Sequence, residues 1–231
     1  GLEEVGKILS GSVTPSGRAV DTYVYDNFSA PAMQNFGDQR YITADGELLG
    51  DDYAFINYGE GIYVGYKYYE TRYEDKVMGT GNAGSYNYAD TVAFPFGFGL
   101  SYTQFSYSDF TLTENEDGTL TVTATVTNTG DVAGKDAVGL YYQSPYTQYD
   151  RENGVEKASI NLADFSKTKE LAPGESQQIT FTFDAVDTMK SYDANQARSY
   201  IMDQGDYYIT VAPDAHEAVN NILNRKGYTV E

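Results

Sequence analysis

Leu120-Thr121-Val122-Thr123-Ala124-Thr125-Val126-Thr127 alternates apolar and threonine side chains without a break over eight residues. Side chains of an extended strand point to opposite faces in turn. The pattern therefore sets Leu120, Val122, Ala124 and Val126 on one face and the threonines on the other. Asp117-Gly118 just ahead is a hairpin-turn signal, and Asn128-Thr129-Gly130-Asp131 closes the far end. The same two-residue period recurs in Val138-Leu140-Tyr142, Ile179-Phe181-Phe183 and Tyr207-Ile209-Val211. Pro173-Gly174 and Gly205-Asp206 stand in front of the last two. Short alternating strands separated by turn residues predict an antiparallel β-sandwich over residues 105–213.

The flanks read differently. Leu2, Val5, Ile8 and Leu9 recur at helical spacing, with Gly11 where a helix would end. Pro15-Ser16-Gly17-Arg18 predicts a turn, and Ala19 to Tyr25 a short strand. Residues 26–58 show no sustained period and predict a long irregular connection holding one short helix; residues 79–91 predict a second loop, of mobile character. Beyond the sandwich, Ala215, Val219, Ile222 and Leu223 predict a short amphipathic helix, ended by Asn224 to Gly227, that needs a surface to lie on. The expected layout is thus 1–104, 105–213 and a helical tail over 214–231.

Composition narrows the function classes. Fifteen basic and 34 acidic side chains give a formal charge of -19 over 231 residues. Such a surface repels phosphate backbones and anionic lipid, which argues against nucleic-acid or membrane partners and tolerates neutral ligands such as sugars. No stretch approaches the roughly 20 apolar residues of a spanning helix. With no cysteine, disulfides and thiolate chemistry are excluded. Gly1-Leu2-Glu3-Glu4 has neither the basic nor the apolar region of a signal peptide and reads as the interior of a longer protein; a bacterial cytoplasmic and a secreted location both fit.

Five stretches, in order, resemble family 3 glycoside hydrolases. They are GLEEVGKILSGSVTPSGRAVDTYVY (1–25), EGIYVGYKYY (60–69), FPFGFGLSYT (94–103), VTNTGDVAG (126–134) and LAPGES (171–176). The resemblance implies a mainly β fold: an immunoglobulin/fibronectin III-like antiparallel β-sandwich preceded by a partial α/β segment, the end of that family's α/β sandwich domain. It implies β-glucosidase-like chemistry for a parent enzyme that hydrolyses terminal β-linked sugars. The family draws its Asp nucleophile from a barrel and its acid/base Glu from a loop upstream of the part resembled here. Neither catalytic role is carried onto this chain, so the expected partners are the barrel-bearing remainder of the hydrolase and a neutral oligosaccharide or glycoside. The family places the barrel before, or in some members after, the fibronectin-like domain. A free-standing carbohydrate-binding or adhesion module on the same sandwich is the alternative; absence of Trp counts against it.

The residues themselves nominate few sites. Tyr offers a flat apolar face and a hydroxyl, which suits sugars, so Glu60, Tyr63, Tyr66 and Tyr68 are candidates for a substrate rim; the same tyrosines equally suit a domain interface. In Phe94-Pro95-Phe96-Gly97-Phe98-Gly99, aromatics alternate with residues that allow close backbone approach, as a linker packed between two bodies requires. His216 reads as a surface helix residue, because no second His or Cys exists to complete a transition-metal site. Glu114-Asn115-Glu116-Asp117-Gly118 lacks calcium-loop spacing, and Gly79-x-Gly81-x-x-Gly84 lacks the strand–helix setting of a nucleotide loop. No cofactor or metal is expected.

Overall fold

A computed structural model describes residues 2–37 and 39–230. Helix α1 (Leu2–Leu9) leads through an extended stretch to β1 (Tyr23–Val24), and α2 (Pro31–Asn35) follows. Next come α3 (Tyr66–Met78), α4 (Tyr88–Thr91) and β2 (Val92–Phe94), which pairs antiparallel with β1. The sandwich comprises β3 (Phe105–Glu114), β4 (Thr119–Asn128), β5 (Ala137–Gln143), β6 (Asn161–Lys167), β7 (Ser176–Asp184) and β10 (Tyr208–Ala212). Short helices α5 (Gln148–Asn153) and α6 (Ala185–Met189) and a hairpin of β8 (Ser191–Asp193) and β9 (Ser199–Ile201) decorate it. Helix α7 (Ala215–Arg225) closes the chain.

Two three-stranded antiparallel sheets, ordered β3-β4-β7 and β10-β5-β6, form the sandwich. Their inner faces meet in one cluster that holds Val122, Ala124, Val126, Val138, Leu140, Ile179, Phe181 and Val211. The alternation of β4 is realised without slippage: Val122, Ala124 and Val126 are buried, whereas Thr123 pairs opposite Thr180 on the outer face. A one-residue register slip would turn all three apolar side chains to water, so the core itself holds the register.

α7 finds its surface between two bodies. Ala215, Ala218 and Ile222 pack on Tyr141 and Ile160 of the sandwich side, while Val219 and Leu223 pack on Tyr69, Tyr73, Tyr88 and Val92. Asp214 caps its first turn by accepting from the Glu217 amide at 2.8 Å. Gly97 lies against this cap: a Cβ there would come within 2.8 Å of the Asp214 Cα, and the Ala215 amide donates to the Phe96 carbonyl at 2.9 Å. The expectation of close backbone approach at Gly97 is met at the start of α7. Phe96 packs in the same place, 4.7 Å from the Tyr66 ring, whereas Phe94 is partly exposed and pairs with Phe98.

Several readings change. Pro15 to Arg18 forms no turn and lies along the sandwich instead. Its polar groups are taken up there. The Thr14 hydroxyl donates to the Ala133 carbonyl at 2.8 Å, Lys167 Nζ donates to the Ser16 carbonyl at 3.1 Å, and Arg18 pairs with buried Asp136. The strand over 19–25 shrinks to Tyr23–Val24, because β2 offers only three residues to pair with. Residues 26–58 contain α2, two 3-10 turns and the isolated bridges Arg40–Ala54 and Ile42–Leu48. The 79–91 loop ends in α4. α3 was not foreseen, although Tyr66, Tyr69, Tyr73 and Val77 stand at helical spacing between Gly65 and Gly79.

Candidate functional site

The polar centre of the molecule lies where α3, α4 and α7 meet. Gly79, at φ +67°, ends α3 in the left-handed cap that only a residue without Cβ adopts readily. The helix buries Tyr69, Glu70 and Tyr73. Glu70 is fully excluded from solvent, yet both its carboxylate oxygens are engaged. Tyr88 Oη donates to Oε1 at 2.5 Å, and His216 Nδ1 lies 2.9 Å from Oε2. The His216 ring stacks on Tyr88 with centroids 3.8 Å apart and 15° between planes, and Tyr73 lies 4.6 Å away. Tyr73 Oη in turn donates to Asn220 Oδ1 at 2.8 Å.

His216 is therefore not the free surface residue expected from sequence. Its side chain is largely covered and ties α7 to α3. The missed signal was tertiary: Glu70 and His216 are 146 positions apart, and only the docking of α7 brings them together. Burial pushes the Glu70 carboxyl above its ordinary range, and the hydrogen bonds from His216 and Tyr88 oppose this only in part. The Tyr88 phenol is pushed far up, first by burial and then by the Glu70 charge. With both oxygens occupied and no exposure, Glu70 is a structural tie and has no free lone pair facing a substrate.

A second network fastens α3 and α7 to β5. Glu74 Oε1 accepts from Gln143 Nε2 at 2.8 Å and from Lys226 Nζ at 3.0 Å, and Lys226 also donates to Gln143 Oε1. A third, outside this layer, is an ion cluster in which buried Lys157 Nζ meets Asp150 Oδ2 at 2.8 Å and Asp203 Oδ2 at 2.5 Å.

The four rim candidates do not converge on one cavity. Glu60 Oε2 accepts from Asn35 Nδ2 at 3.0 Å, beside α2. Tyr63 reaches the sandwich side, donating to the Lys157 carbonyl at 3.3 Å. Tyr66 is half-buried against Phe96, and its hydroxyl accepts from the Leu162 amide at 3.1 Å. Tyr68 packs edge-on against Tyr69 and lies 5.6 Å from the Arg72 guanidinium. Among the described residues, no group of three or more His, Cys, Asp and Glu side chains is arranged to hold a metal ion.

Residues 136–215 match the fibronectin type III-like domain. Beta-glucosidase A of Butyrivibrio fibrisolvens is 31% identical over 211 residues, which cover 87% of this chain and 22% of that protein. A beta-glucosidase of Ruminococcus albus is 32% identical over 216 residues, 92% of this chain and 19% of that protein. Among solved structures, a beta-glucosidase from Paenibacillus barengoltzii superposes with a TM-score of 0.68 at 34% identity, covering 91% of this chain and 20% of that chain. The family 3 beta-glucosidase of Bifidobacterium adolescentis gives a TM-score of 0.70 at 28% identity, covering 92% and 26%. The chain thus spans about a fifth of the length of the curated relatives it matches. With the antiparallel sandwich and its docked helix layer, these matches show that the chain is similar to the part of family 3 beta-glucosidases that carries the fibronectin type III-like domain.

Proposed function

We propose that the chain is a non-catalytic part of a β-glucosidase-like hydrolase, one that cleaves terminal β-linked sugars once the barrel-bearing remainder is docked on it. The observation that carries this reading is the uncovered apolar surface of residues 2–68. None of the described residues in that span is buried, while Leu2, Leu9, Phe28, Phe36 and Tyr58 are largely exposed. Apolar surface on this scale marks an interaction site rather than an ordinary exterior. In this reading 1–104 completes an α/β domain, 105–213 buttresses it, and 214–231 clamps the two. Glu60 and Tyr63 border the sugar pocket, with Tyr66 and Tyr68 supporting the segment behind them.

Glycoside hydrolysis needs two carboxylates that reach the scissile bond. Glu70 is sealed and doubly bonded, and Glu60, which opens the 60–69 stretch, already accepts from Asn35. The isolated chain is accordingly inactive. The purified chain, assayed on aryl β-glucoside and β-xyloside, should show no turnover above a buffer control. Turnover that follows the protein through purification and disappears in Glu60→Gln would overturn the assignment.

A further inference from the structure

A cleft of about 850 Å³ opens between α3 and the sandwich, within the range of ~300–1,000 Å³ common to small-molecule sites. It is built wholly from this chain. Tyr63, Tyr146 and Tyr208 supply aromatic surface at its wall, and Tyr146 is half exposed. Three carboxylates, Glu74, Asp75 and Asp206, line it beside three cations, Arg151, Lys157 and Lys226.

The charge pattern selects the class of ligand. Lys157 is held by Asp150 and Asp203, and Lys226 by Glu74. Arg151 sits over the Tyr146 ring at 5.3 Å. The lysines already face partner carboxylates, and the lining carries equal numbers of each sign, so nothing in it favours an anion or a free cation. What remains is a set of aromatic faces interleaved with hydrogen-bonding groups. Ser159, which also lines the cleft, keeps a buried hydroxyl without a hydrogen-bond partner among the described residues. A buried donor left unsatisfied is costly, and a hydroxyl-bearing ligand or a small shift in the cleft relieves that cost.

We infer that this cleft binds a neutral mono- or disaccharide, stacked on Tyr146 and hydrogen-bonded by Asp206 and Asp75. Tyrosine suits this task because its ring covers the apolar face of a sugar while its hydroxyl bonds the rim. The inference does not rest on the proposed hydrolase role. The cleft would bind sugar whether the chain works inside an enzyme or as a binding module, and it requires no turnover.

The test is saturation-transfer NMR on the 231-residue chain, with glucose and cellobiose as probes and glucose 6-phosphate as the ionic control. A saturable signal from glucose or cellobiose is expected, with a dissociation constant on the order of 1 mM. Tyr146→Ala should weaken it by about 10-fold or more at unchanged melting temperature, and Tyr146→Phe should retain most of it. Because Tyr146 is half exposed, the alanine variant should fold; if it melts early, Asp206→Ala on the cleft edge, which removes the hydrogen-bonding group, replaces it with the same expectation. Three results would each overturn the inference: no saturable signal from either neutral sugar, a signal that survives these substitutions, or clear preference for glucose 6-phosphate.

Discussion

Residues 2–68 and the sandwich of β3 to β10 are nearly opposite objects joined in one chain. The sandwich carries its own interior, with Val122, Val126, Val138 and Leu140 wholly excluded from water. Residues 2–68 bury no side chain among those described and turn α1's Leu2 and Leu9 outward. Both regions contain apolar residues in regular patterns, so pattern alone does not make a core. A period-2 strand meets a second sheet supplied by the same chain, whereas α1 and the 26–58 connection have no covering layer within it. Between them stands α3 with α7, whose contacts are polar as much as apolar: Glu70 to His216, Glu74 to Lys226, Tyr73 to Asn220.

That contrast can be broken by substitution. The largest effect is expected in the sandwich. Leu140→Ala should cost about 2–5 kcal/mol in urea unfolding, while Phe36→Ala should stay within about 0.5 kcal/mol of the parent chain. Equal losses at both positions would show that 2–68 has a hidden core. Limited proteolysis checks the same point from the backbone: cleavage should enter within 26–58, and the surviving fragment should contain β3 through α7. Survival of a fragment confined to residues 1–104 would reverse the comparison.

The helix layer should respond almost as strongly. Glu70→Ala leaves His216 and the Tyr88 hydroxyl without their shared partner, and each buried polar group left unsatisfied costs about 1–3 kcal/mol. The pH dependence has a definite sign. The Glu70 carboxyl is raised on folding, so the folded chain holds its proton more tightly than the unfolded one. Its contribution is therefore fullest below the ordinary value of 4.5 and is lost as pH rises through the higher folded value. Glu70→Gln, which cannot ionise, should flatten this part of the stability profile; an unchanged slope would remove Glu70 as its source.

Two smaller effects sharpen the boundary. Phe96→Ala removes a half-buried ring from the seam of Tyr66, Tyr141 and Ala215, and about 2–3 kcal/mol is expected, at or below the low end for a fully buried Phe. Thr123→Ala on the outer face of β4 should stay within about 0.5 kcal/mol. A Phe96 variant as stable as the Thr123 variant would mean that the two bodies are not joined through this segment.

Legibility from sequence followed the range of the interactions. β4, β5, β7 and β10 could be read because their alternation is local and each meets a ready partner sheet. α7 was readable as a helix from Ala215, Val219, Ile222 and Leu223, and its need for a surface was readable too. α3 was not read, because tyrosines, lysines and glutamates share every face and blur the apolar stripe that a 3.6-residue period requires. At the rim, the tyrosines of 60–69 were found, but their directions were not. A motif places backbone, and neighbours then send Tyr63, Tyr66 and Tyr68 to different surroundings.

The sequence by itself determined the sandwich, the turn at Asp117-Gly118, the close approach at Gly97 and the kinship with family 3 hydrolases. Each is signalled by short stretches, where side-chain alternation and backbone freedom act directly, whatever partner the fold later brings to them. Only the tertiary structure decided that Pro15 to Arg18 lies along the sandwich and that His216, largely covered, is the partner of buried Glu70. It also decided that Tyr63 and Tyr146 face a common cleft. Those outcomes depend on desolvation and pairing across 80 or more residues of chain. An acid and a histidine 146 positions apart carry no local sign of one another until packing removes the water between them.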